Sequence, residues 1–257
     1  MKLISEIDFT KGLKNIYPLT KDKKIVVSLN MMRVGLPNFD FNKIIQLLLN
    51  YLSPKELAIQ SYSNFESITN RVFSKYNSNV SKNLSSLSKL AFNKYPHLRL
   101  LSSTHSFILF NGKSEIYDHI FKSAFGVDSV FSFFLENDYI WINIGSYLNE
   151  TCTFMHHVEA VNSQIINYRK NIVFPVKVYK DIDNKASELI NYEYFSRIEG
   201  INSEYSWLPI QNAEKFKSCI VDRENLISVY NLTEIFSFAS DILKKNPKVF
   251  LLNKSLK

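Results

Sequence analysis

The sequence predicts an α/β fold with a central, largely parallel or mixed sheet covered by helices and a strand-rich C-terminal part. Three observations carry this expectation. Short apolar runs of strand length alternate with longer amphipathic runs through the first 165 residues, the order of a parallel or mixed sheet with crossover helices. The texture then changes to two stretches of alternating apolar and polar residues before a final amphipathic run. Finally, 257 residues with 46% hydrophobic and 14% aromatic content are enough for a substantial core.

Element by element, KKIVVSLN (Lys23 to Asn30) reads as a buried strand. NFDFNKIIQLLLNYL reads as a helix, capped near Asn38 or Asp40 and stopped before Pro54. ELAIQS is a second short strand, and the Ser- and Asn-rich residues 64 to 88 form an irregular excursion that could close over a substrate. SFILF (Ser106 to Phe110) is a strand, Gly112 turns it into a helix over SEIYDHIFKSAF, and SVFSFFLE is a further helix. YIWINIG (Tyr139 to Gly145) is a strand, followed by a helix from Thr153. NIVFPVKVYKDI and LINYEYFSRI read as strands, and LTEIFSFASDILKK as the closing helix. The expected organisation is one domain over 1–257: an α/β core over 1–165, then a strand-rich part with a C-terminal helix over 166–257.

Composition narrows the function. Two cysteines, Cys152 and Cys219, allow neither a disulfide framework nor a four-cysteine zinc site. No apolar run is long enough to span a bilayer, so the expected location is the cytoplasm, without membrane attachment. The net charge of +7 favours polyanionic partners. The basic residues are scattered and no nucleic-acid motif appears, which points to phosphorylated small molecules rather than nucleic acid. The six glycines are so dispersed that neither a P-loop nor a dinucleotide fingerprint can form. Any phosphate must be held by side chains and helix N-termini.

The stretch TCTFMHHVEA holds two of the five histidines. At about 100° per residue, Phe154, Val158, Val161 and Ile165 form one stripe, taken as the core face. His156 and Glu159 lie opposite it at i and i+3, close enough to touch. This is either a solvated His–Glu pair or a general base with the carboxylate that orients it. His157 flanks the stripe as a bystander or a substrate contact. A metal site is disfavoured: adjacent histidines diverge, and no HExxH spacing exists.

Four segments together resemble the antibiotic N-acetyltransferase family, best known for the aminoglycoside 3-N-acetyltransferases. TFMHHVE is similar to that family's T-x-x-H-x-x-E motif, at Thr153, His156 and Glu159. STHSFILFNG (Ser103 to Gly112), AFGVDSVF with YIWINIG, and KKIVVSLNMMRVG followed by PKELAIQSYS supply the others, in the family's order. One departure is RLLSS, which puts Ser102 and Ser103 where many relatives carry His-Pro. The histone-acetylase-like acyltransferase fold is not expected, since its R/Q-x-x-G-x-G/A loop is absent.

The resemblance implies an acyl-coenzyme A-dependent N-acyltransferase needing no metal. His156 would be the base, Glu159 its orienter and Thr153 a third member of the site. Ser28, Ser102, Ser103, Thr104, Ser106 and Ser129 would contact coenzyme A. The resemblance extends to sugar N-acyltransferases of bacterial surface-polysaccharide (lipopolysaccharide) pathways, which acylate dTDP-linked 3-amino-3,6-dideoxyhexoses with acetyl or 3-hydroxybutanoyl groups. The basic net charge favours such an anionic acceptor over a polycationic aminoglycoside. The aminoglycoside enzyme and a catalytically silent nucleotide- or partner-binding relative are the alternatives. A homodimer stays open.

Overall fold

The computed structural model describes residues 3–63, 71–77, 85–151, 153–198, 204–222 and 226–252. Along the chain run α1 (Glu6–Thr20), β1 (Lys24–Leu29), α2 (Ile44–Leu52), β2 (Glu56–Gln60), β3 (Arg71–Ser74), α3 (Ser86–Lys94) and β4 (Phe107–Phe110). They continue with α4 (Val130–Glu136), β5 (Ile140–Ile144), α5 (Phe154–Val161), β6 (Arg169–Tyr179), β7 (Ser187–Arg197), β8 (Ile220–Asp222), β9 (Ile227–Asn231) and α6 (Leu232–Lys245).

The central sheet has the order β8-β9-β5-β1-β2-β4. Its middle strands β5, β1 and β2 are parallel, and antiparallel pairs flank them on both sides. Both faces are covered, which is why the middle strands read as largely apolar runs, interrupted only by Ser28 in β1 and Asn143 in β5 and bounded by Lys24, Glu56 and Gln60. Ile25 and Val27 point into a core with Phe9, Leu13 and Ile16 of α1 and Ile44 and Leu48 of α2. Val26 and Trp141 point the other way, against Phe131 of α4, Phe154 and Val158 of α5, and Leu243 of α6. A second sheet, β7-β6-β3, is built on the eleven-residue hairpin of β6 and β7.

The expected mixed sheet, its helical cover and the two long C-terminal strands are all present, and three details differ. α1 was not expected, because Gly12 and Pro18 mask its periodicity. Ser5 nevertheless caps it, accepting a hydrogen bond from the Asp8 amide at 3.1 Å. The run expected as a helix from Ser114 to Phe125 is a single 3₁₀ turn over Ser114–Tyr117 and a two-residue strand, Ile120–Phe121. The segment 64–88, expected as irregular, contributes β3, which pairs in parallel with β6, and the first turn of α3. Its remaining residues, 64–70 and 78–84, and the lid expected of them lie outside the described residues. Within the strand-rich C-terminal part, β8 and β9 extend the central sheet beside β5.

Candidate active site

α5 begins beyond the C-terminal end of β5, and Gly145 makes that turn possible. Its φ is +74°, and a Cβ there would collide with the Asn30 carbonyl oxygen. The backbone therefore closes tightly on β1, with the Asn30 amide donating to the Ile144 carbonyl at 2.8 Å. This brings the ends of β1 and β5 together under the start of α5.

On α5, His156 Nδ1 lies 3.1 Å from Glu159 Oε2, as the i, i+3 spacing predicts. The wheel is corrected on one point. Glu159 is fully buried, while Val161, assigned to the core face, is 41% exposed. The reason lies at the start of β6, which covers the side of α5 expected to face solvent. Tyr168 donates its hydroxyl to Glu159 Oε1 at 2.9 Å, and Arg169 Nε reaches Oε2 at 3.1 Å. Both carboxylate oxygens are thus engaged, as a buried charge requires. Arg169 Nη2 also lies 2.7 Å from His156 Nδ1, and its Nη1 donates to the Phe195 carbonyl at 3.1 Å. The His156 ring sits edge-on between Phe125 (5.5 Å) and Trp207 (5.2 Å). Its side chain keeps about a quarter of its surface. Tyr168, Arg169, Phe125 and Trp207 escaped the sequence reading; Tyr168 and Arg169, only nine and ten residues beyond Glu159, carried no spacing signal across the intervening turn.

His157 is buried, contrary to the expectation of a flanking position. Its Nδ1 accepts from the Gly126 amide at 3.1 Å, and Ser129 Oγ lies 3.4 Å away. Gly126 supports this turn at φ +82°. Burial lowers the His157 pKa from 6.5 to about 4, so the ring is neutral at pH 7. A neutral imidazole tied to a backbone amide braces the 125–129 turn against α5.

A cleft of about 660 Å³ opens beyond the C-terminal ends of β1 and β2, where open α/β sheets gather ligands. Thr153, Ser28, Gln60 and Tyr62 line it, and so do Ser85, Ser86 and Ser88 at the N-terminus of α3. Thr153 lies one turn before His156, whose own side chain is not among those lining the cleft. Ser28 is 5% exposed, and its hydroxyl has no hydrogen-bond partner among the described residues. Ser85 caps α3 through the Ser88 amide at 3.3 Å. The Ser28 hydroxyl and the start of α3 thus border the cleft, the Ser88 amide being already engaged by Ser85.

The other predicted hydroxyls lie elsewhere. Ser102 Oγ is 3.2 Å and Thr104 Oγ1 2.7 Å from the Tyr192 hydroxyl of β7, which ties this segment to the hairpin. Ser106 Oγ donates to the Ser61 carbonyl at 2.6 Å and accepts from Arg99 Nε at 2.9 Å. Arg99 is fully buried, and that burial pulls its pKa down to about 9. Ser103 is buried in the same segment. Ser129 caps α4 in a reciprocal box with Ser132 and donates to the Gly126 carbonyl at 2.7 Å. None of these five lines the cleft. Of the six hydroxyl residues expected to hold coenzyme A, Ser28 alone faces the cleft; Ser102, Thr104, Ser106 and Ser129 are engaged in caps and strand ties, and Ser103 is buried. Among the described residues no group of three His, Cys, Asp or Glu side chains converges as a metal site would require, and no helix is long and apolar enough to cross a membrane.

No family model matches the sequence. No curated protein matches it either. Solved structures do. AAC-IIIb in binary complex with CoASH superposes with a TM-score of 0.72 at 14% identity, over 95% of this chain and 97% of that one. AAC-VIa bound to sisomicin gives 0.70 at 12% identity, over 95% and 98%. The YokD protein from Bacillus subtilis gives 0.67 at 16% identity, over 92% and 97%. Across nearly its whole length, the chain has the fold of the aminoglycoside acetyltransferases.

Proposed function

We propose that this chain is an acyl-coenzyme A-dependent N-acyltransferase whose base is His156 and whose acceptor is a nucleotide-linked amino sugar. The observation that carries the reading is the 3.1 Å contact of His156 Nδ1 with buried Glu159, one turn from Thr153 at the edge of the cleft. The fold it shares with AAC-IIIb, solved with CoASH, supports the choice of acyl donor. The cleft suits that donor. Ser28 and the first-turn amides of α3 would receive its phosphates or polar pantetheine groups, without a glycine loop.

When bound, the donor supplies an acyl carbon activated by a thiolate leaving group of pKa about 8.5. The acceptor nitrogen forms the new C–N bond as the C–S bond breaks. With its own proton on Nδ1, donated to Glu159 Oε2, His156 would take the nitrogen's proton on Nε2 and return it to the departing sulfur. Glu159 holds the Nδ1 side and stabilises the imidazolium formed in between. Phe125 and Trp207 flank the ring edge-on and fix its plane. Positioning plus one base covers the task, because a deprotonated amine attacks a thioester readily.

The choice of acceptor draws on charge. Among the described residues, the carboxylates nearest the cleft and the imidazole are both compensated. Glu150 is held bidentately by Arg33 at 2.5 and 2.7 Å, and Glu159 by Arg169 and Tyr168. A polycation would find no uncompensated anion in either group, whereas the net charge of +7 suits a pyrophosphate-bearing acceptor. The second reading, an aminoglycoside acceptor, draws on the fold shared with AAC-VIa, solved with sisomicin. Thiol release separates them. The purified protein is given acetyl- or 3-hydroxybutanoyl-coenzyme A with a dTDP-3-amino-3,6-dideoxyhexose or with an aminoglycoside. Release with the nucleotide sugar alone is expected; release with the aminoglycoside alone would overturn the acceptor assignment.

A further inference from the structure

A second cavity, of about 310 Å³, lies at the opposite end of the central sheet from the cleft. Lys24 and Glu56, the first residues of β1 and β2, are paired in register, so their side chains point to the same face. Phe133 and Asn137 line the cavity from the end of α4, and Lys113, Glu115 and Ile116 from the stretch after β4. His119, also on the lining, is engaged by Asp128 at 3.0 Å. Glu56 is 6% exposed. Its Oε2 accepts from the buried Tyr139 hydroxyl, whereas Oε1 accepts no hydrogen bond among the described residues. The Lys24 ammonium stands 3.7 Å from Oε1, too far for one. Lys24 Nζ donates instead to Asn137 Oδ1 at 3.0 Å, which uses one of its three N–H donors. The loop wall is already fixed: the Tyr117 hydroxyl donates to the Leu109 carbonyl at 2.6 Å and accepts from the Gly112 amide at 3.1 Å.

A buried carboxylate oxygen without a hydrogen bond, beside a cavity, calls for a donor from whatever enters. The ammonium next to it calls for an acceptor. Two neighbouring hydroxyls supply both at once, one donating and the other accepting. The lining charges favour no ion of either sign, since Lys24 and Lys113 balance Glu56 and Glu115. Phe133 adds an aromatic face, whose negative quadrupole attracts the C–H groups of a saturated ring. The volume is at the lower end for ligand sites, enough for one sugar ring and too small for a nucleotide. We propose that this cavity binds a neutral monosaccharide. One hydroxyl donates to Glu56 Oε1, its neighbour accepts from Lys24 Nζ, and the ring's C–H groups rest on Phe133. Lys113 and Glu115 receive further hydroxyls at the rim. The cavity shares no lining residue with the cleft, so binding there does not depend on the acyl-transfer reading.

The test is an NMR titration of isotope-labelled protein with D-glucose, D-galactose and D-mannose, read at the Asn137 side-chain amide. Sodium acetate and methylammonium chloride serve as charged probes. The expected result is a saturable shift with at least one hexose, at lower concentration than with either charged probe. Glu56→Gln weakens that hexose by about tenfold, because a charged acceptor is lost. Phe133→Leu keeps the bulk and loses the aromatic face; it weakens the hexose by about threefold or more and serves if Glu56→Gln does not fold. No saturable response to any of the three hexoses overturns the proposal. Tighter binding of acetate or methylammonium also overturns it, since the cavity would then be a site for an ion. Unchanged hexose affinity in either folded variant does the same, because the sugar would then sit elsewhere.

Discussion

Two adjacent histidines on α5 take opposite parts because their surroundings differ. His156 keeps a quarter of its surface and meets a carboxylate and a cation, whereas His157 is buried and tied to a backbone amide. The His157 pKa near 4 has a thermodynamic consequence. Its folded value lies below the ordinary 6.5, so the unfolded chain binds the proton first as pH falls. The stability contributed by the neutral ring is therefore complete above about pH 6.5 and lost on descending to about 4, amounting to about 3 kcal/mol. Denaturant titrations at pH 7.5 and 4.5 should show this loss in the wild type and a smaller one in His157→Gln. Equal acid sensitivity in the two proteins would mean that His157 is not the group responsible. The His156–Glu159 pair was legible from i, i+3 spacing alone. The different fate of His157 was not, since it depends on the 125–129 turn folding back from thirty residues upstream.

At the scale of elements, the site depends on two turns and a cap. Gly145 lets α5 start over the end of β1, and an alanine there would face both a left-handed φ and the Asn30 carbonyl. Gly145→Ala should cost about 2 kcal/mol or more, read as a lowered midpoint in thermal or denaturant unfolding. A neutral outcome would show that the turn relaxes. Ser129→Ala removes the α4 cap and should cost about 1 kcal/mol without changing the apparent affinity for coenzyme A. A clear loss of affinity would restore Ser129 to the cofactor site. The strands were readable because β1, β2, β4 and β5 are short apolar runs bounded by polar or turn residues. The elements that escaped notice are those where local chemistry and tertiary context disagree. α1 forms despite Gly12 and Pro18, because Phe9, Leu13 and Ile16 bury against the sheet. Residues 114–125 have helical composition but are drawn out, with Ile120 and Phe121 paired in parallel to Leu101 and Ser102.

At the scale of the whole molecule, the mixed sheet opens its cleft at one end, and the chain entering β6 brings Tyr168 and Arg169 back to the carboxylate of α5. Sequence order gave the parallel strands and hence the place of the cleft. It could not identify which hydroxyls face it, since Ser102, Thr104, Ser106 and Ser129 look the same as Ser28 until their partners in the fold are known. The central claim is that His156 is the base of an acyl transfer, acting one turn beyond Thr153 at the edge of this cleft. It is tested most directly by comparing wild type and His156→Ala for thiol release and for coenzyme A binding in parallel. The account predicts that turnover falls by roughly 10²- to 10⁴-fold while coenzyme A affinity stays within about twofold, since His156 does not line the cleft. Undiminished turnover in His156→Ala would contradict it.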